Sequence, residues 1–544
     1  MKIRFFRMQK KLSNFIFIVV ITLFLINCAN RGRPQGGEKD TEPPKVTKSI
    51  PENYSINFSS NEIKIYFDEY IKLKDLQKQL IISPPMETQP EVLPLGTASK
   101  YIKIKIFDTL QPNTTYAFNF GQSIVDNNEG NPYPFYRYVF STGDYIDSLT
   151  VKGNILDAEK LKPEEFVSVM LYEKDSSYAD SLIYKNNPKY MTNTLDSNTT
   201  FTIENIKAGT YRLIALKDEN QNNTFQQKSD KIGFLDGFIT VPKDTLYNLS
   251  LFKEAVDFRA IRGSQVAGNK IAFGFEGDPK SMKINVLDSV PSNYKYRITK
   301  DEKADTLYYW YVPKFERDSL IFNISNDEFN YRKDSLVVKI RDMMKDSLVT
   351  TLTPKGQIGF EKRLEVSSIT PLEKLDKSRI ILIDKDTLEV DFSYEFDTLN
   401  NKYLIDFKKE EEQKYIFQFL PGAFTDIFEN TNDTIDFALR TKQFSDYGNV
   451  RVTLENVKYP IIVQLTNEQG EVQAEKFSIE PEPLDFRYLD PKKYYMRVVI
   501  DANGNQKWDP GSFLQNRQPE RISYFPEMLD VRAGWDLVQS FILE

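Results

Sequence analysis

Histidine is absent from the 544-residue sequence, and cysteine occurs once, at Cys28. Without histidine the chain has no histidine-dependent catalytic triad, no histidine general base and no histidine-ligated zinc or copper. A single cysteine forms neither a disulfide within the chain, nor a CxxC redox pair, nor a thiolate cage around a metal. These two shortages exclude several common classes of enzyme and metal protein.

Excess basic charge is also lacking, since 71 Lys and Arg stand against 78 Asp and Glu, for a formal net charge of −7. A nucleic-acid-binding protein needs a basic face, so we expect no nucleic-acid partner. No P-loop, dinucleotide-binding glycine pattern or GxSxG elbow stands at a fitting strand–helix junction. No pair of carboxylates stands out from the rest either, and we expect the protein not to be an enzyme.

Aromatic residues, by contrast, are plentiful: 39 Phe and 30 Tyr contribute to an aromatic fraction of 13%. Such residues are typical of β-strands. A chain of 544 residues exceeds the size of one hydrophobic core, and its length predicts roughly three to five domains. We therefore expect an all-β protein made of several β-sandwiches.

The first 27 residues are predicted to be a signal peptide. A basic start is followed by the apolar run Phe15–Ile26, which is too short for a comfortable membrane span. The run ends in Leu25-Ile26-Asn27-Cys28, which resembles the lipobox of bacterial lipoproteins, although Asn27 replaces the usual small residue. The resemblance implies cleavage before Cys28 and acylation of Cys28, for example with palmitate. The alternative is an uncleaved N-terminal anchor.

Residues 28–44 are rich in Gly, Pro and charge, and we interpret them as the lipidated cysteine and a flexible tether. Acyl chains contribute about 0.8 kcal/mol per buried CH₂, which holds a protein at a membrane without a spanning helix. Residues 29–33 lack the acidic cluster that resembles a surface-export signal in Bacteroidota-type lipoproteins. We therefore expect a lipid anchor in the outer membrane, facing the periplasm, with the cell surface as the alternative.

Residues 45–147 show short alternating strands separated by turns, which predicts a sheet with one face on a core. Several motifs occur here in order, and together they resemble the bacterial Ig-like domain of surface-layer and envelope proteins. The resemblance implies a Greek-key β-sandwich without catalytic residues. The motifs are Pro43-Pro44-Lys45, Ile50-Pro51-Glu52-Asn53, Phe67-Asp68-Glu69, Pro112-Asn113-Thr114-Thr115-Tyr116, Asp126–Asn131 and Phe140-Ser141-Thr142-Gly143.

The following segment, residues 148–251, resembles the transthyretin-like or carboxypeptidase-regulatory-like β-sandwich. The resemblance rests on the series Val151–Ile155, Val167–Tyr172, Phe201–Ile203 and Ala208–Leu216, which ends in a polar turn at Asp218–Asn223. Residues 252–356 are strand-rich, and we expect a β-sandwich of unassigned family there.

The remaining two segments repeat the first two. Residues 357–445 resemble a diverged Ig-like domain, with Pro421–Asp426 before the last strand, and residues 446–544 resemble a second transthyretin-like sandwich. In this last segment Tyr494–Ile500 leads into Asp501–Asn505 as Tyr211–Leu216 leads into Asp218–Asn222. An Ig-like unit followed by a transthyretin-like unit therefore occurs twice, which indicates a spacing or binding architecture.

One loop imitates a calcium site. Asp501, Asn503, Asn505 and Asp509 place oxygen side chains at positions 1, 3, 5 and 9, and calcium takes six to eight hard oxygen ligands. However, Gln506 stands where an EF-hand has glycine and Ser512 where it has glutamate. The alternative is an Asx-rich turn. The earlier copy has Asp218, Asn220, Asn222 and Gln226, and the turn with Asp126, Asn128 and Gly130 is predicted to be only a turn.

Two other features have ordinary explanations. Glu410-Glu411-Glu412 is predicted to be a solvated charge run. Trp310, Trp508 and Trp535 favour core packing, with a sugar-stacking face shared by Trp508 and Trp535 as the alternative. The sequence as a whole predicts a non-enzymatic outer-membrane lipoprotein that acts as a scaffold or protein-binding subunit of a cell-envelope complex. A glycan-binding or adhesive surface lipoprotein is the alternative.

Overall fold

The computed structural model describes residues 40–194 and 198–543, so Cys28 and its tether up to residue 39 lie outside the described residues. Within the described residues the secondary structure is almost entirely β, with one short α-helix, α1 (Leu76–Gln79). No helix in the described part of the chain is long and apolar enough to cross a membrane. The described residues form two compact units: residues 40–80 with Met86–Tyr145, and Ile81–Pro85 with residues 146–543.

The first unit contains the first sandwich. Its strands alternate because isoleucines face the core and lysines face solvent, as in the paired residues Ile63 and Ile104. One sheet has the order β1-β2-β5-β4 with β7 also paired to β2, and β6 pairs antiparallel with β8. The strands up to Ser141 are β1 (Val46–Ile50), β2 (Glu62–Leu73), β3 (Ile81–Ser83, in the segment that belongs to the second unit), β4 (Glu91–Leu93), β5 (Ser99–Lys105), β6 (Thr115–Asn119), β7 (Ile124–Asp126) and β8 (Arg137–Ser141).

The second sandwich opens the main part of the second unit. Its sheets have the orders β12-β9-β16, with β16 parallel to β9, and β11-β10-β13-β14, with β15 on β13. A 3-10 turn spans Asp180–Tyr184. The strands are β9 (Leu149–Asp157), β10 (Ser168–Glu173), β11 (Tyr190–Asn193), β12 (Thr200–Ile206), β13 (Gly209–Lys217), β14 (Lys231–Phe234), β15 (Ile239–Val241) and β16 (Leu246–Leu251).

The third sandwich has sheets of order β17-β19-β22-β21, with β18 on β19, and β20-β23-β24. Phenylalanine and tyrosine rings fill its core, among them Phe273, Tyr309 and Phe322. The strands are β17 (Arg259–Ala260), β18 (Ser264–Ala267), β19 (Lys270–Glu276), β20 (Met282–Val286), β21 (Lys295–Lys300), β22 (Thr306–Val312), β23 (Ser319–Asn326) and β24 (Tyr331–Lys339).

The fourth sandwich has sheets of order β25-β27-β31-β30 and β26-β34-β32-β29, plus the pair β28-β33. A 3-10 turn spans Lys377–Arg379. The strands are β25 (Thr350–Thr353), β26 (Gly356–Gln357), β27 (Leu364–Ser368), β28 (Leu372–Leu375), β29 (Ile380–Ile383), β30 (Phe392–Asp397), β31 (Lys402–Phe407), β32 (Lys414–Phe419), β33 (Phe424–Asp426) and β34 (Ile435–Arg440).

Strand β25 falls inside residues 252–356, the segment expected to form the third sandwich, yet it pairs antiparallel with β27 of the fourth. The pattern of β25 is weak because Leu352 is its only buried residue. The fourth sandwich therefore begins before residue 357, and its first strand carries too little apolar alternation to reveal its partner.

The fifth sandwich has sheets of order β38-β35-β41, with β41 parallel to β35, and β37-β36-β39-β40. A 3-10 turn at Phe444–Asp446 precedes it. The strands are β35 (Gly448–Glu455), β36 (Ile461–Thr466), β37 (Val472–Ser478), β38 (Leu484–Leu489), β39 (Lys493–Ile500), β40 (Ile522–Asp530) and β41 (Asp536–Ile542).

The strand orders repeat along the chain. In the second sandwich β9 lies between β12 and β16 and runs parallel to β16. In the fifth sandwich β35 likewise lies between β38 and β41 and runs parallel to β41. In the first and fourth, the order β1-β2-β5-β4 corresponds to β25-β27-β31-β30, and the β2–β7 pairing corresponds to β28–β33. Strand orders of the first and second sandwiches therefore recur in the fourth and fifth, with the third sandwich between them.

Candidate functional site

The loop that follows β39, from Asp501 to Glu520, contains the residues predicted to bind calcium. Asp501 is fully buried, and its carboxylate accepts the backbone N–H groups of Asn505 at 3.1 Å and Gln506 at 2.8 Å. Glu520 closes the loop by accepting the N–H groups of Ala502 at 2.8 Å and Asp509 at 3.0 Å. Both carboxylates therefore hold the backbone of the turn in place.

The loop after β13 repeats this arrangement. The Asp218 carboxylate accepts the N–H of Asn223 at 2.7 Å, five residues later, as Asp501 accepts that of Gln506. Asp230 takes the place of Glu520, since it accepts the N–H groups of Glu219 at 3.2 Å and Gln226 at 2.8 Å. The two loops thus share a backbone scaffold built on two carboxylates.

The four predicted ligands only partly converge. Asn503 and Asn505 both donate their side-chain amides to the Asp509 carboxylate, the latter at 2.8 Å, whereas Asp501 is occupied by backbone groups. Among the described residues no cluster of three or more Asp, Glu, His or Cys side chains is placed to hold a metal ion. The arrangement already satisfies the loop oxygens internally, and calcium binding stays a prediction.

One electrostatic observation bears on that prediction. Burial raises the pKa of Glu520, and the negative charges of Asp509 and Asp501 act in the same direction. A bound cation would relieve this repulsion, because opposite charge favours the ionised carboxylate. The loop therefore has hard oxygen donors and crowded negative charge, but not an open oxygen cage.

The turn at Asp126 is a turn, as predicted. The Asp126 carboxylate accepts N–H groups of the four residues that follow Asn127, with distances from 2.7 Å to 3.1 Å. The three glutamates at positions 410–412 are exposed, in agreement with a solvated run. Glu411 also accepts the backbone N–H of Phe444 at 3.1 Å, which places the run beside the start of the fifth sandwich.

The three tryptophans have different environments. Trp310 is buried and donates to Thr299 Oγ1 at 2.9 Å. Trp508 is half-buried, donates to the Glu520 carbonyl at 2.9 Å and packs against the second sandwich. Trp535 is 60% exposed, and the Arg532 guanidinium lies 5.2 Å from its ring centre. Trp310 and Trp508 therefore serve packing, and Trp535 alone of the three presents its ring to solvent.

The loop after β39 has a second role that the sequence did not reveal: it joins the fifth sandwich to the second. Strands β10 and β13 are apolar on both faces, because Leu171 and Leu213 face the inner core while Met170 and Ile214 face outward. The outer face is covered in part by Phe513 of the fifth sandwich, which is fully buried. We call this contact the second–fifth interface.

Aromatic packing organises the centre of the second–fifth interface. The Phe513 and Phe234 rings meet edge to face with 5.2 Å between their centres. The Arg212 guanidinium, which is only 4% exposed, lies 5.2 Å from the Phe513 ring centre and 5.4 Å from that of Phe234. It donates to Asn516 Oδ1 and to the Gly237 carbonyl, both at 2.9 Å. This desolvated cation–π contact links the two sandwiches.

Polar groups around this centre are paired across the interface. Glu254 is buried and accepts the backbone N–H of Phe513, while Gln518 donates to the Phe234 carbonyl at 3.0 Å. Burial raises the pKa of Glu254, although its hydrogen bond from Phe513 acts against the rise. At the other end, Arg497 donates to the Glu159 carbonyl at 2.8 Å. The interface therefore combines an aromatic centre around Arg212 with hydrogen bonds at its rim.

Gly511 lets the loop approach the second sandwich closely. A Cβ atom at this position would lie 2.5 Å from Phe252 Cζ and 2.6 Å from the Arg517 carbonyl oxygen. Only glycine fits such a space, because real Cβ atoms do not make contacts this short. The glycine therefore sets the path that delivers Phe513 to its pocket.

Further contacts join the successive sandwiches of the second unit. Lys228 and Glu276 pair at 2.8 Å between the second and third, and Lys402 and Glu302 pair at 3.2 Å between the fourth and third. Between the fourth and fifth, the Phe360 ring packs against three aromatic rings. These are Phe444 at 4.6 Å, Tyr488 at 4.9 Å and Tyr447 at 5.7 Å between ring centres. With the second–fifth interface, the contacts form a closed circuit through four sandwiches.

Solved structures resemble this chain only loosely. Alignment to the S-layer protein rSbsC(31-844) covers 90% of this chain and 67% of that chain, with 10% identity and a TM-score of 0.17. Sidekick-1 immunoglobulin domains 1–4 give 72% and 99% coverage, 8% identity and a TM-score of 0.18. The Escherichia coli adhesin FdeC gives 62% and 94%, 7% identity and 0.13. At such low values these similarities say nothing about function.

Among curated proteins no significant match to this chain is found. A family model does match: the bacterial Ig-like domain, over residues 40–142. This segment covers the strands of the first sandwich. The protein is thus an all-β chain of tandem β-sandwiches whose residues 40–142 match the family model of the bacterial Ig-like domain.

Proposed function

We propose that this protein is a non-enzymatic outer-membrane lipoprotein, anchored by acyl chains on Cys28, that acts as a scaffolding or protein-binding subunit of a cell-envelope complex. The observation that carries the proposal is the second–fifth interface, which closes the circuit of contacts through four sandwiches. Domains joined only by linkers move relative to one another unless a substantial interface holds them. A closed circuit fixes the spacing of the surfaces that the sandwiches present, which suits a scaffold.

The loop chemistry supports the same proposal. The carboxylates that stand out in the sequence, Asp126, Asp218 and Asp501, accept backbone N–H groups within their own turns. Groups engaged in this way stabilise loops, and stable loops present a constant surface to a partner. The proposed role is therefore binding through shape and surface chemistry, with the membrane on one side and envelope proteins on the other.

The experiment is cross-linking of intact cells that produce the full chain, followed by purification from solubilised outer membrane and mass spectrometry. We expect a barrel protein or other lipoproteins to co-purify in stoichiometric amount. A Cys28→Ala variant tests the anchor separately, since it is expected to leave the membrane fraction while keeping its fold. Recovery of the wild-type protein alone contradicts the scaffold, and a membrane-bound Cys28→Ala variant contradicts the lipid anchor.

A glycan-binding or adhesive protein at the cell surface is the second candidate, and the exposure of Trp535 favours it. An exposed indole with a guanidinium against its face is a platform on which a sugar ring can stack. Protease treatment of intact cells tests surface delivery. Glycan arrays then compare the wild-type protein with Trp535→Ala and with Tyr145→Ala, a control at a similarly exposed aromatic residue. Equal glycan binding by all three proteins contradicts this candidate.

A further inference from the structure

Strand β41 is the last strand of the fifth sandwich and lies at the edge of its sheet. It pairs in parallel with β35 on one side, and within residues 40–194 and 198–543 no strand pairs with its other side. An edge strand leaves a row of backbone N–H and C=O groups that can pair with another strand. Proteins usually protect such edges with lysine, proline, bulges or a covering segment.

The second sandwich shows how the same edge is closed in the other copy of this topology. Its last strand, β16, continues into Phe252, which exchanges two hydrogen bonds with Ile232 of β14, at 2.8 Å and 2.9 Å. Gly233 makes this approach possible, because a Cβ there would lie 2.8 Å from the Ser250 carbonyl oxygen. The end of β16 is therefore joined to the opposite sheet, just beyond Leu251.

In the fifth sandwich this closure is missing. Gly233 is opposite Ala215 on β13, and its counterpart Ser523 is opposite Val498 on β39. Serine adds a side chain where the second sandwich has none, and the Ser523 hydroxyl is buried without a hydrogen-bond partner. No pairing joins β40 to β41 among the described strands. The glycine-to-serine difference accounts for an edge that stays open.

The residues of β41 protect this edge little: the Gln539 side-chain amide donates to the Ser540 carbonyl at 2.9 Å. Val538 is 68% exposed and Ile542 is 62% exposed, on the same face as Ser540. Asp536 is the only charged residue of the strand, and the strand has no proline or lysine. An open edge with two solvent-facing aliphatic side chains is a surface suited to strand pairing.

We propose that β41 pairs with β41 of a second copy of this chain, antiparallel and about a two-fold axis at Ser540. In this register Val538 of each copy faces Ile542 of the other, so two aliphatic cross-strand pairs form. Asp536 falls opposite position 544 of the second copy, beyond the end of the partner strand. Self-pairing therefore gives an isologous dimer whose three-stranded sheets join into one continuous sheet.

The test uses the full-length chain in its own membrane with the single substitution Ser540→Cys. At the two-fold axis the two Cβ atoms would be about 5 Å apart, within reach of oxidative cross-linking. We expect a dimer band on a non-reducing gel. Asn248→Cys is the matched control, because Asn248 is opposite Asn154 in β9 as Ser540 is opposite Thr453 in β35, but on a strand whose end is joined to the opposite sheet through Phe252. The unmodified chain accounts for any contribution of Cys28.

A second pair of variants separates pairing from accidental contact. Adding Val538→Lys and Ile542→Lys to Ser540→Cys replaces exposed side chains, so the fold stays intact, and should lower the dimer fraction about tenfold. Leu246→Lys, at the position in β16 that corresponds to Val538, should leave it unchanged. Three results overturn the proposal. The first is a dimer fraction for Ser540→Cys no larger than that for Asn248→Cys, and the second is a dimer fraction that the two added lysines do not lower. The third is cross-linking of Ser540→Cys to a different protein.

Discussion

Phe513 should hold the second–fifth interface together, and Phe513→Ala tests this directly. The side chain is fully buried against the second sandwich, with the Phe234 ring and the Arg212 guanidinium around it. Truncating a buried phenylalanine to alanine destabilises a protein by about 3–5 kcal/mol. The contact lies between two sandwiches that each have their own core, so we expect the loss to appear as local opening of the interface.

The assay is amide hydrogen exchange of the full chain, followed by mass spectrometry of peptides covering β14 and the loop from Asp501 to Glu520. A loss of about 3 kcal/mol raises the exchange rate of amides protected by the interface by about two orders of magnitude. Peptides from the third sandwich should exchange at their original rate.

Leu514→Ala is the control for this prediction, because Leu514 is the next residue and is exposed. A substitution at an exposed position usually changes stability by no more than about 0.5 kcal/mol. Equal exchange in the two variants would refute the reasoning, since it would mean that Phe513 contributes no more than a surface residue.

Three further predictions concern the same loop and the residues that contact it. The raised pKa of Glu254 means that the folded state holds the Glu254 proton more tightly than the unfolded chain does. Stability is therefore lost as pH rises from the ordinary value of 4.5 through the raised pKa. The melting temperature of Glu254→Gln should fall less over this pH range than that of the wild type, and parallel pH profiles would contradict the prediction. Calorimetric titration with calcium chloride should give binding that Asp509→Asn removes, and a flat wild-type titration excludes the site. Gly511→Ala forces the new Cβ atom against the Phe252 ring and should lower the free energy of unfolding by about 1–3 kcal/mol, measured by thermal unfolding. Gly237→Ala places its Cβ in open space and should leave the free energy of unfolding unchanged.

The strands were predictable from sequence where alternation was strong. Ile63–Phe67 and Tyr101–Ile106 predict half-buried strands, and both segments lie largely in β2 and β5 with their isoleucines in the core. The repeated Asp turn after β13 and β39 was predictable too, because Asp and Asn side chains bond to nearby backbone groups. Local sequence was sufficient to predict these strands and turns, since the groups that interact in them are close in sequence.

The second–fifth interface was not predictable from sequence. Phe513 stands in a loop without periodicity, and its partner Glu254 is 259 residues away. The only signal was the apolar outer face of β10 and β13, which shows that something covers these strands but not what covers them. The start of the fourth sandwich was missed for a similar reason, since the pairing of β25 depends on a partner strand and not on its own pattern.

The second–fifth interface also has a consequence for how the chain matures. Synthesis runs from the N-terminus, so the second sandwich is complete long before Phe513 and Arg497 exist. Arg497 reaches back 338 residues to Glu159, and closing so long a loop is entropically costly and slow. Until the fifth sandwich packs against them, Met170, Ile214 and their apolar neighbours are more exposed to solvent. A chain truncated before the fifth sandwich should therefore be aggregation-prone, and the nascent protein should need a holding chaperone until the fifth sandwich is made.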